Sequence, residues 1–199
     1  VIRGRLEQIV DEMDAMLFRS AFSPVIAEAR DGGHGIYHAE SGDTLVQGKG
    51  GLPIFVGAMS FATRAAIARA NAEGGPSEGD VYFMNDPYDG ATHLNDFKLV
   101  KPFFRDGKVF CQLASVGHWQ DIGGNVPGNY NPQATDSMQE GVRIPPVKLV
   151  TRDGLNAFVV EVLRSNVRLP EQNWGDLNAQ IAAVNIGERK VHEIIARFG

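Results

Sequence analysis

Two apolar runs joined by a short polar turn constrain this chain more than any other feature. The runs cover residues 97–100 and 109–116, and the segment Arg-Asp-Gly-Lys at 105–108 carries a turn signal. An antiparallel strand pair is the economical arrangement for such runs. It brings the loop before the first strand close to the end of the second strand. The sequence therefore predicts that residues near 93–96 and 118–121 meet in space.

The same short pattern, His-x-x-Asp, stands at both of these places. The copies are His93/Asp96 and His118/Asp121, with the histidines 118 − 93 = 25 positions apart. Zn²⁺ and Mn²⁺ accept imidazole nitrogen and carboxylate oxygen, and catalytic sites supply about three protein ligands. We expect His93, Asp96 and His118 to form such a set, with Asp121 as a fourth ligand or an outer carboxylate. The alternative is that these histidines cap turns and the aspartates accept loop N–H groups.

Periodicity assigns most of the remaining chain to secondary structure. We predict helices over 2–20, 59–72, 156–166 and 177–198, a hairpin of strands 34–38 and 44–47, a strand over 80–84, and an irregular segment over 122–146. These elements predict an α+β fold with a largely antiparallel or mixed sheet, flanking helices and a site in loops at strand ends. Residues 1–199 are expected to form a single domain, with a subdivision near 150–170 as the alternative.

Composition excludes several functions. The net charge is −5 and the pI about 5.5, without the basic clusters that nucleic-acid binding requires. No apolar run approaches the roughly 20 residues that span a bilayer, and the N-terminal residues lack a signal-peptide pattern. The single Cys111 cannot form an internal disulfide. We therefore expect a cytoplasmic enzyme or enzyme subunit with no nucleic-acid or membrane partner.

Other catalytic and binding motifs fit poorly. Lys49 precedes its glycines, whereas a Walker-type phosphate loop places the lysine after them. A serine hydrolase would need a Gly-x-Ser-x-Gly elbow, and Ser115 lies in a predicted strand instead. His34 and His38 share one face of a predicted strand, but no carboxylate repeats at matching positions, so neither is expected to bind metal.

Four sequence blocks follow one another in a specific order. They are Asn-Asp-Pro-Tyr at 85–88, Thr-His-Leu-Asn-Asp at 92–96, His-Trp-Gln-Asp-Ile-Gly-Gly at 118–124, and Gln-Glu-Gly-Val-Arg-Ile-Pro-Pro-Val-Lys-Leu at 139–149. Further landmarks lie at 28–31 and 166–180. In this order the blocks closely resemble the hydantoinase B/oxoprolinase family. Family subunits are considerably longer, so the chain resembles the N-terminal portion of a B-type subunit.

The resemblance implies an ATP-dependent enzyme and a hetero-oligomer. A hydantoinase A-type partner would bind ATP and Mg²⁺, and the small-molecule substrate would be a cyclic amide such as a hydantoin, 5-oxoproline or a lactam. A related branch carboxylates acetone or acetophenone with bicarbonate. Its B-type subunit carries a divalent metal on a His-x-x-Asp motif and a later histidine, which match His93, Asp96 and His118 here. A non-catalytic scaffold that binds the A-type subunit is a third alternative.

Five further residues receive predicted roles beside the metal set. Asp121 and Asp86 are candidate catalytic carboxylates, and Tyr88, Glu140 and Arg143 are candidate substrate contacts.

Two departures from the family pattern weaken the hydrolase assignment. Hydrolase members commonly carry His-His-Ala-Asp where this chain has His-Trp-Gln-Asp at 118–121. They often carry two histidines before the second long helix, where Gly51 and Phe55 stand here.

Overall fold

Antiparallel strands form one sheet that organises the molecule. A computed structural model describes residues 1–199, apart from the side chain of Val56. Across these residues the sheet has seven strands, in the order β2-β1-β5-β4-β3-β6-β7. They are β1 (Gly32–His38), β2 (Thr44–Gln47), β3 (Val81–Met84), β4 (Asp96–Arg105), β5 (Lys108–His118), β6 (Val147–Thr151) and β7 (Gly154–Leu155).

Helices cover the two faces of the sheet. They are α1 (Ile2–Ser20), α2 (Pro24–Ala27), α3 (Ile54–Ala72), α4 (Ala157–Asn166) and α5 (Pro170–Phe198). The helices α1 and α5 pack together on one face, and α3 lies on the other. The predicted α+β fold with a largely antiparallel sheet is therefore confirmed.

The central hairpin β4–β5 follows directly from its turn. Asp106 and Gly107 both have positive φ, at 50° and 74°, as a tight hairpin turn of the mirror-image type requires. The pairing runs from Arg105 opposite Lys108 to Asp96 opposite His118. The predicted convergence of the two strand ends is confirmed.

Alternation along the strands creates two apolar layers. On the α1/α5 face, Phe83 stacks on Phe97 with ring centroids 4.8 Å apart, and Phe97 lies 4.1 Å from Trp119. On the α3 face, Tyr37, Tyr82 and other residues form a second buried cluster. Each fully buried large side chain contributes on the order of 2 kcal/mol. The aromatic stack lies beneath the strand ends that carry the paired motifs.

The structure differs from the sequence predictions at the starts of two helices and in two additional strands. Helix α3 begins at Ile54 rather than 59, and α5 begins at Pro170 rather than 177. Pro170 interrupts the pattern in sequence, but in the first helical turn its missing N–H costs nothing. The strands β6 and β7 were not predicted, because both are short, β6 is only partly buried and β7 is exposed. Among the described helices, none combines the length and apolarity needed to cross a membrane.

Candidate metal centre

Three side chains converge where β4 begins and β5 ends. One potential ligand atom from each of His93, Asp96 and His118 lies within 4.8 Å of the others. Asp96 and His118 are register partners on neighbouring strands, and His93 lies in the turn just before β4. The burial of the three side chains is graded: Asp96 is 1% exposed, His118 25% and His93 70%. The cluster is therefore anchored on the sheet and open to solvent on the His93 side.

Asp96 is held as an anion by its hydrogen bonds. Its Oδ1 lies 2.8 Å from His118 Nδ1, and its Oδ2 accepts from the His93 backbone N–H at 2.8 Å and from the Thr92 hydroxyl. Burial alone would raise the pKa of Asp96. The hydrogen bonds from His118 and Thr92 outweigh it and lower that pKa to about 2. Asp96 is thus ionised and preoriented.

A second carboxylate, Asp31, approaches His118 from the start of β1. Its Oδ2 lies 4.0 Å from His118 Nδ1. In addition, the backbone N–H of His118 donates to the backbone carbonyl of Asp31 at 3.0 Å. Burial raises the pKa of Asp31, and its Oδ1 is buried without a hydrogen-bond partner among the described residues. Burial also lowers the pKa of His118, but the Asp96 hydrogen bond and charge more than offset this and raise it. Asp31 therefore belongs to the cluster, although it stands 62 positions before His93.

Backbone geometry beside Asp31 is unusual. Arg30 has φ of 56°, a conformation that non-glycine residues rarely adopt. Such conformations concentrate at functional sites, where the surrounding structure must hold them in place. In the sequence, the only local sign of this site is the Arg30–Asp31 pair directly before two glycines.

Asparagine side chains hold the loops around the cluster. Asn85 is fully buried and donates to the carbonyls of Leu94 and Val142, at 2.6 and 2.7 Å, while its oxygen accepts from Ile144 N–H. Asn95 exchanges hydrogen bonds with Trp119, which extends the β4–β5 ladder past the ligand pair. The turn that carries His93 is therefore tied to both the sheet and the 140–146 loop.

The two departures around the start of α3, at Gly51 and Phe55, have a packing explanation. A β-carbon on Gly51 would lie 1.8 Å from the Gly32 carbonyl oxygen, so a histidine would require the backbone of this chain to shift there. Phe55 is 2% exposed and belongs to the core cluster under α3. The ligand set is accordingly built without a contribution from either position.

The structure favours a framework role for Asp121. Its carboxylate accepts from the N–H groups of Gly123 and Gly128, at 2.9 and 2.8 Å, and pairs with Arg168 at 3.1 Å. Burial raises the pKa of Asp121, and these bonds and the Arg168 charge reverse the shift and lower it. Both oxygens are thus committed to the loop that follows β5, which leaves little capacity to accept a proton from substrate.

Four other predicted residues lie in or beside the 140–146 loop. Asp86 Oδ1 accepts from Tyr88 N–H at 3.0 Å, and its Oδ2 lies 3.4 Å from Arg143 Nε. The guanidinium of Arg143 sits 5.6 Å from the centroid of the Tyr88 ring, and that side chain is 79% exposed. Glu140 is exposed, and the residue paired with Arg143 is Asp86. Tyr88 and Arg143 therefore form one surface, with Asp86 beneath them.

Tight packing fixes this surface against α3. Gly90 ends the short 3₁₀ turn Pro87–Asp89 with φ of 91°. A β-carbon on Gly90 would lie 2.6 Å from the Phe61 carbonyl carbon, so only glycine allows this approach.

A second histidine cluster lies on the opposite face of the sheet. His34 Nδ1 is 2.7 Å from Asp14 Oδ1, and His34 Nε2 is 2.9 Å from the Ser115 hydroxyl. The spacing is that of a catalytic triad, but Ser115 and His34 are both 0% exposed. A nucleophile needs contact with substrate, so this cluster serves as an interior link between α1, β1 and β5.

The cluster of His93, Asp96 and His118, called the open cluster below, has side chains whose chemistry fits a divalent metal. Two imidazoles and an ionised carboxylate match the preferences of Zn²⁺ or Mn²⁺, and the exposed side leaves room for water or substrate. The unpartnered Asp31 oxygen supplies a further acceptor at the same edge. These features make the cluster a candidate metal site at the edge of an α+β sheet.

Comparison with known proteins places the chain in a family. Residues 1–199 match the family described as hydantoinase B/oxoprolinase, and the chain belongs to it. The β subunit of caprolactamase from Pseudomonas jessenii is 35% identical over 199 residues, which is all of this chain and 34% of that subunit.

Two solved structures share the fold. The ATP-dependent caprolactamase from Pseudomonas jessenii matches with a TM-score of 0.88 at 32% identity, over 100% of this chain and 34% of that one. Nucleotide-free acetone carboxylase matches with a TM-score of 0.89 at 25% identity, over 98% of this chain and 26% of that one. The chain thus spans about a third or less of these relatives.

Proposed function

We propose that this chain forms part of the metal-bearing subunit of an ATP-dependent amidohydrolase that opens a cyclic amide. The substrate class is a hydantoin, 5-oxoproline or a lactam, and a hydantoinase A-type partner binds ATP and Mg²⁺. The observation that carries the proposal is the convergence of His93, Asp96 and His118 at one sheet edge. The family membership and the caprolactamase likeness support it.

The ligand residues have distinct tasks in this proposal. Asp96, whose pKa is about 2, supplies a permanent negative charge at neutral pH. His118 is fixed between Asp96 and Asp31, while His93 lies at the solvent side, where substrate enters. When bound, Zn²⁺ or Mn²⁺ would supply Lewis-acid chemistry, either polarising a carbonyl oxygen or activating water.

Substrate contacts are assigned to the exposed surface next to the cluster. Arg143 can donate to a carbonyl or phosphoryl oxygen, and the Tyr88 ring offers an apolar face to a small ring. Asp86 holds Arg143 in place and is assigned an orienting role. Glu140 lies at the exposed rim of the same loop. Asn85 connects this surface to the turn of His93 through the carbonyls of Leu94 and Val142.

Ketone carboxylation is the second candidate function. The acetone carboxylase structure has a TM-score as high as that of caprolactamase, 0.89 against 0.88. Its lower sequence identity, 25% against 32%, ranks it second. In this variant the same residues would act on a ketone, and bicarbonate would be a co-substrate.

Product analysis of the full-length subunit with its A-type partner separates these candidates. The complex is supplied with ATP, ¹³C-bicarbonate and either a lactam, a hydantoin, 5-oxoproline or a small ketone. A ring-opened product without ¹³C identifies the amidohydrolase, whereas ¹³C retained as a new carboxyl group identifies the carboxylase.

Matched histidine variants link turnover to the site. His118→Ala is expected to abolish product formation, and His38→Ala, at an exposed histidine of β1, is expected to leave it unchanged. A metal-free, inactive wild-type complex that still binds the partner tightly would contradict the enzyme proposal and favour a scaffold.

A further inference from the structure

Lys98 is a fully buried cation beside the ligand cluster. It lies on β4 two residues after Asp96 and is 0% exposed. Its register partners are Met84 on β3 and Val116 on β5, and Val116 belongs to the apolar cluster under α3. Buried lysines ordinarily have a carboxylate partner, because an isolated ammonium is costly to desolvate. The contacts of Lys98 therefore require an explanation.

Lys101, three positions further along the same strand, shows the ordinary solution. It is also buried, and its ammonium contacts Glu188 at 2.6 Å and Asn185 at 2.8 Å on α5. Lys98 Nζ instead donates to the Thr92 hydroxyl at 3.2 Å, and no direct carboxylate contact within 4.0 Å occurs among the described residues. The Lys98 ammonium is linked to a carboxylate, that of Asp96, only through the Thr92 hydroxyl.

Hydrogen-bond chemistry fixes the direction of this chain of contacts. An ammonium can only donate, so Thr92 Oγ1 accepts from Lys98. The single hydroxyl hydrogen of Thr92 is then directed to Asp96 Oδ2, which as a carboxylate can only accept. The positive charge of Lys98 is thereby coupled to one named oxygen of a candidate metal ligand.

We propose that Lys98 is a positioning residue of the metal centre, acting through the Thr92 hydroxyl on Asp96. This inference rests on the proposed function, because it assumes that the cluster binds a divalent metal. Thr92 fixes the orientation of the carboxylate. Lys98 draws negative charge away from it and places a second cation beside the bound ion.

The two residues should then affect metal affinity in opposite directions. Loss of the Thr92 hydroxyl frees the Asp96 carboxylate to rotate, which weakens binding. Loss of the Lys98 charge removes the repulsion between the ammonium and the bound metal ion. It also makes the Asp96 carboxylate a stronger metal ligand, so metal binding becomes tighter. If Lys98 had a purely structural role, loss of either residue would weaken metal binding or abolish it.

The test is Mn²⁺ titration of the full-length subunit against a chelating dye, without substrate. Thr92→Val is expected to weaken Mn²⁺ binding about tenfold, as is common when an outer partner of a ligand is lost. Thr92→Ser, which keeps the hydroxyl, should restore it. Lys98→Met is expected to tighten binding by roughly tenfold. Lys101→Met, the matched change on the other face, should leave the affinity unchanged.

Three results would overturn the proposal. These are equal or weaker Mn²⁺ binding by folded Lys98→Met, equal affinities for Thr92→Ser and Thr92→Val, or a matching increase in Lys101→Met. Should Lys98→Met fail to fold, Lys98→Gln, whose amide can still donate to Thr92, is expected to show the same tightening. Wild-type protein that binds no Mn²⁺ contradicts the proposed function itself, and is distinguishable from the other results.

Discussion

Two histidine–carboxylate clusters lie on opposite faces of the same sheet, and they differ in what surrounds them. Around His34, the partners Asp14 and Ser115 occupy both ring nitrogens, and the group is closed to solvent. Around His118, the carboxylates of Asp96 and Asp31 crowd one nitrogen, and the neighbouring His93 is 70% exposed. The closed cluster has its hydrogen-bonding capacity satisfied, whereas the open cluster retains free capacity.

The difference separates a framework element from a candidate functional site. Triad-like distances at His34 do not indicate catalysis, because no substrate can reach Ser115. At the open cluster, Asp31 Oδ1 is buried without a hydrogen-bond partner among the described residues, whereas buried polar groups are ordinarily paired. Exposure and satisfaction of polar atoms, rather than residue types, distinguish the two clusters.

The largest expected effect tests the closed cluster. His34→Ala should lower the free energy of unfolding by about 3 kcal/mol, since it removes a fully buried ring and leaves Asp14 Oδ1 and the Ser115 hydroxyl without their imidazole partner. His118→Ala, the matched change in the open cluster, should cost only about 1 kcal/mol in metal-free protein. Urea unfolding with chelator present measures both. Equal losses would show that the open cluster is part of the framework.

Acid sensitivity of the open cluster is the next effect. The pKa of Asp96 is about 2 against a usual 3.8, so its ionised form stabilises the fold fully above pH 3.8. This contribution, about 2 kcal/mol, is lost as the pH falls through about 2. Urea unfolding of metal-free wild type and Asp96→Asn should give a stability difference that shrinks between pH 4 and 2. A difference independent of pH would contradict the assignment, and Asp106→Asn in the exposed turn is the control.

A smaller, local effect is expected in the loop after β5. Arg168→Met removes the cation that pairs with Asp121 and should cost about 1 kcal/mol of local stability. Hydrogen exchange should accelerate at the N–H groups of Gly123 and Gly128, with the metal content unchanged. Loss of metal in this variant would instead restore Asp121 to the ligand cluster.

The smallest effect concerns Cys111, which lies on the face of the sheet covered by α1 and α5. Its thiol is 2% exposed, and burial raises its pKa to about 12. An aromatic disulfide reagent should not react with it in folded protein at pH 8, and should react fully in urea. Rapid labelling of folded protein would show that this face opens readily. Cys111→Ala provides the blank.

Local patterns explain why part of the fold could be predicted. The β4–β5 hairpin follows from two apolar runs and a turn, and its register alone brings Asp96 opposite His118. The strands β6 and β7 lacked such signals because both are short, β6 is only partly buried and β7 is exposed. Helix α5 was truncated in the prediction because Pro170 gives the same signal at a helix start as at a break.

Long-range contacts explain what the sequence could not show. Asp31 reaches His118 only because β1 pairs with β5, and Asp14 reaches His34 only because α1 packs on that pair. No spacing rule connects such distant positions. Lys98 offered one local sign, a charge inside an apolar strand, but its partner Thr92 was visible only in the structure.

Metal analysis of the full-length protein tests the central claim most directly. After purification with added Mn²⁺ or Zn²⁺ and removal of free ions, wild type should contain about one ion per chain. His93→Ala and His118→Ala should contain almost none, and His38→Ala should match wild type. A metal-free wild type, or full occupancy in folded His118→Ala, would contradict the assignment of this cluster as a metal centre.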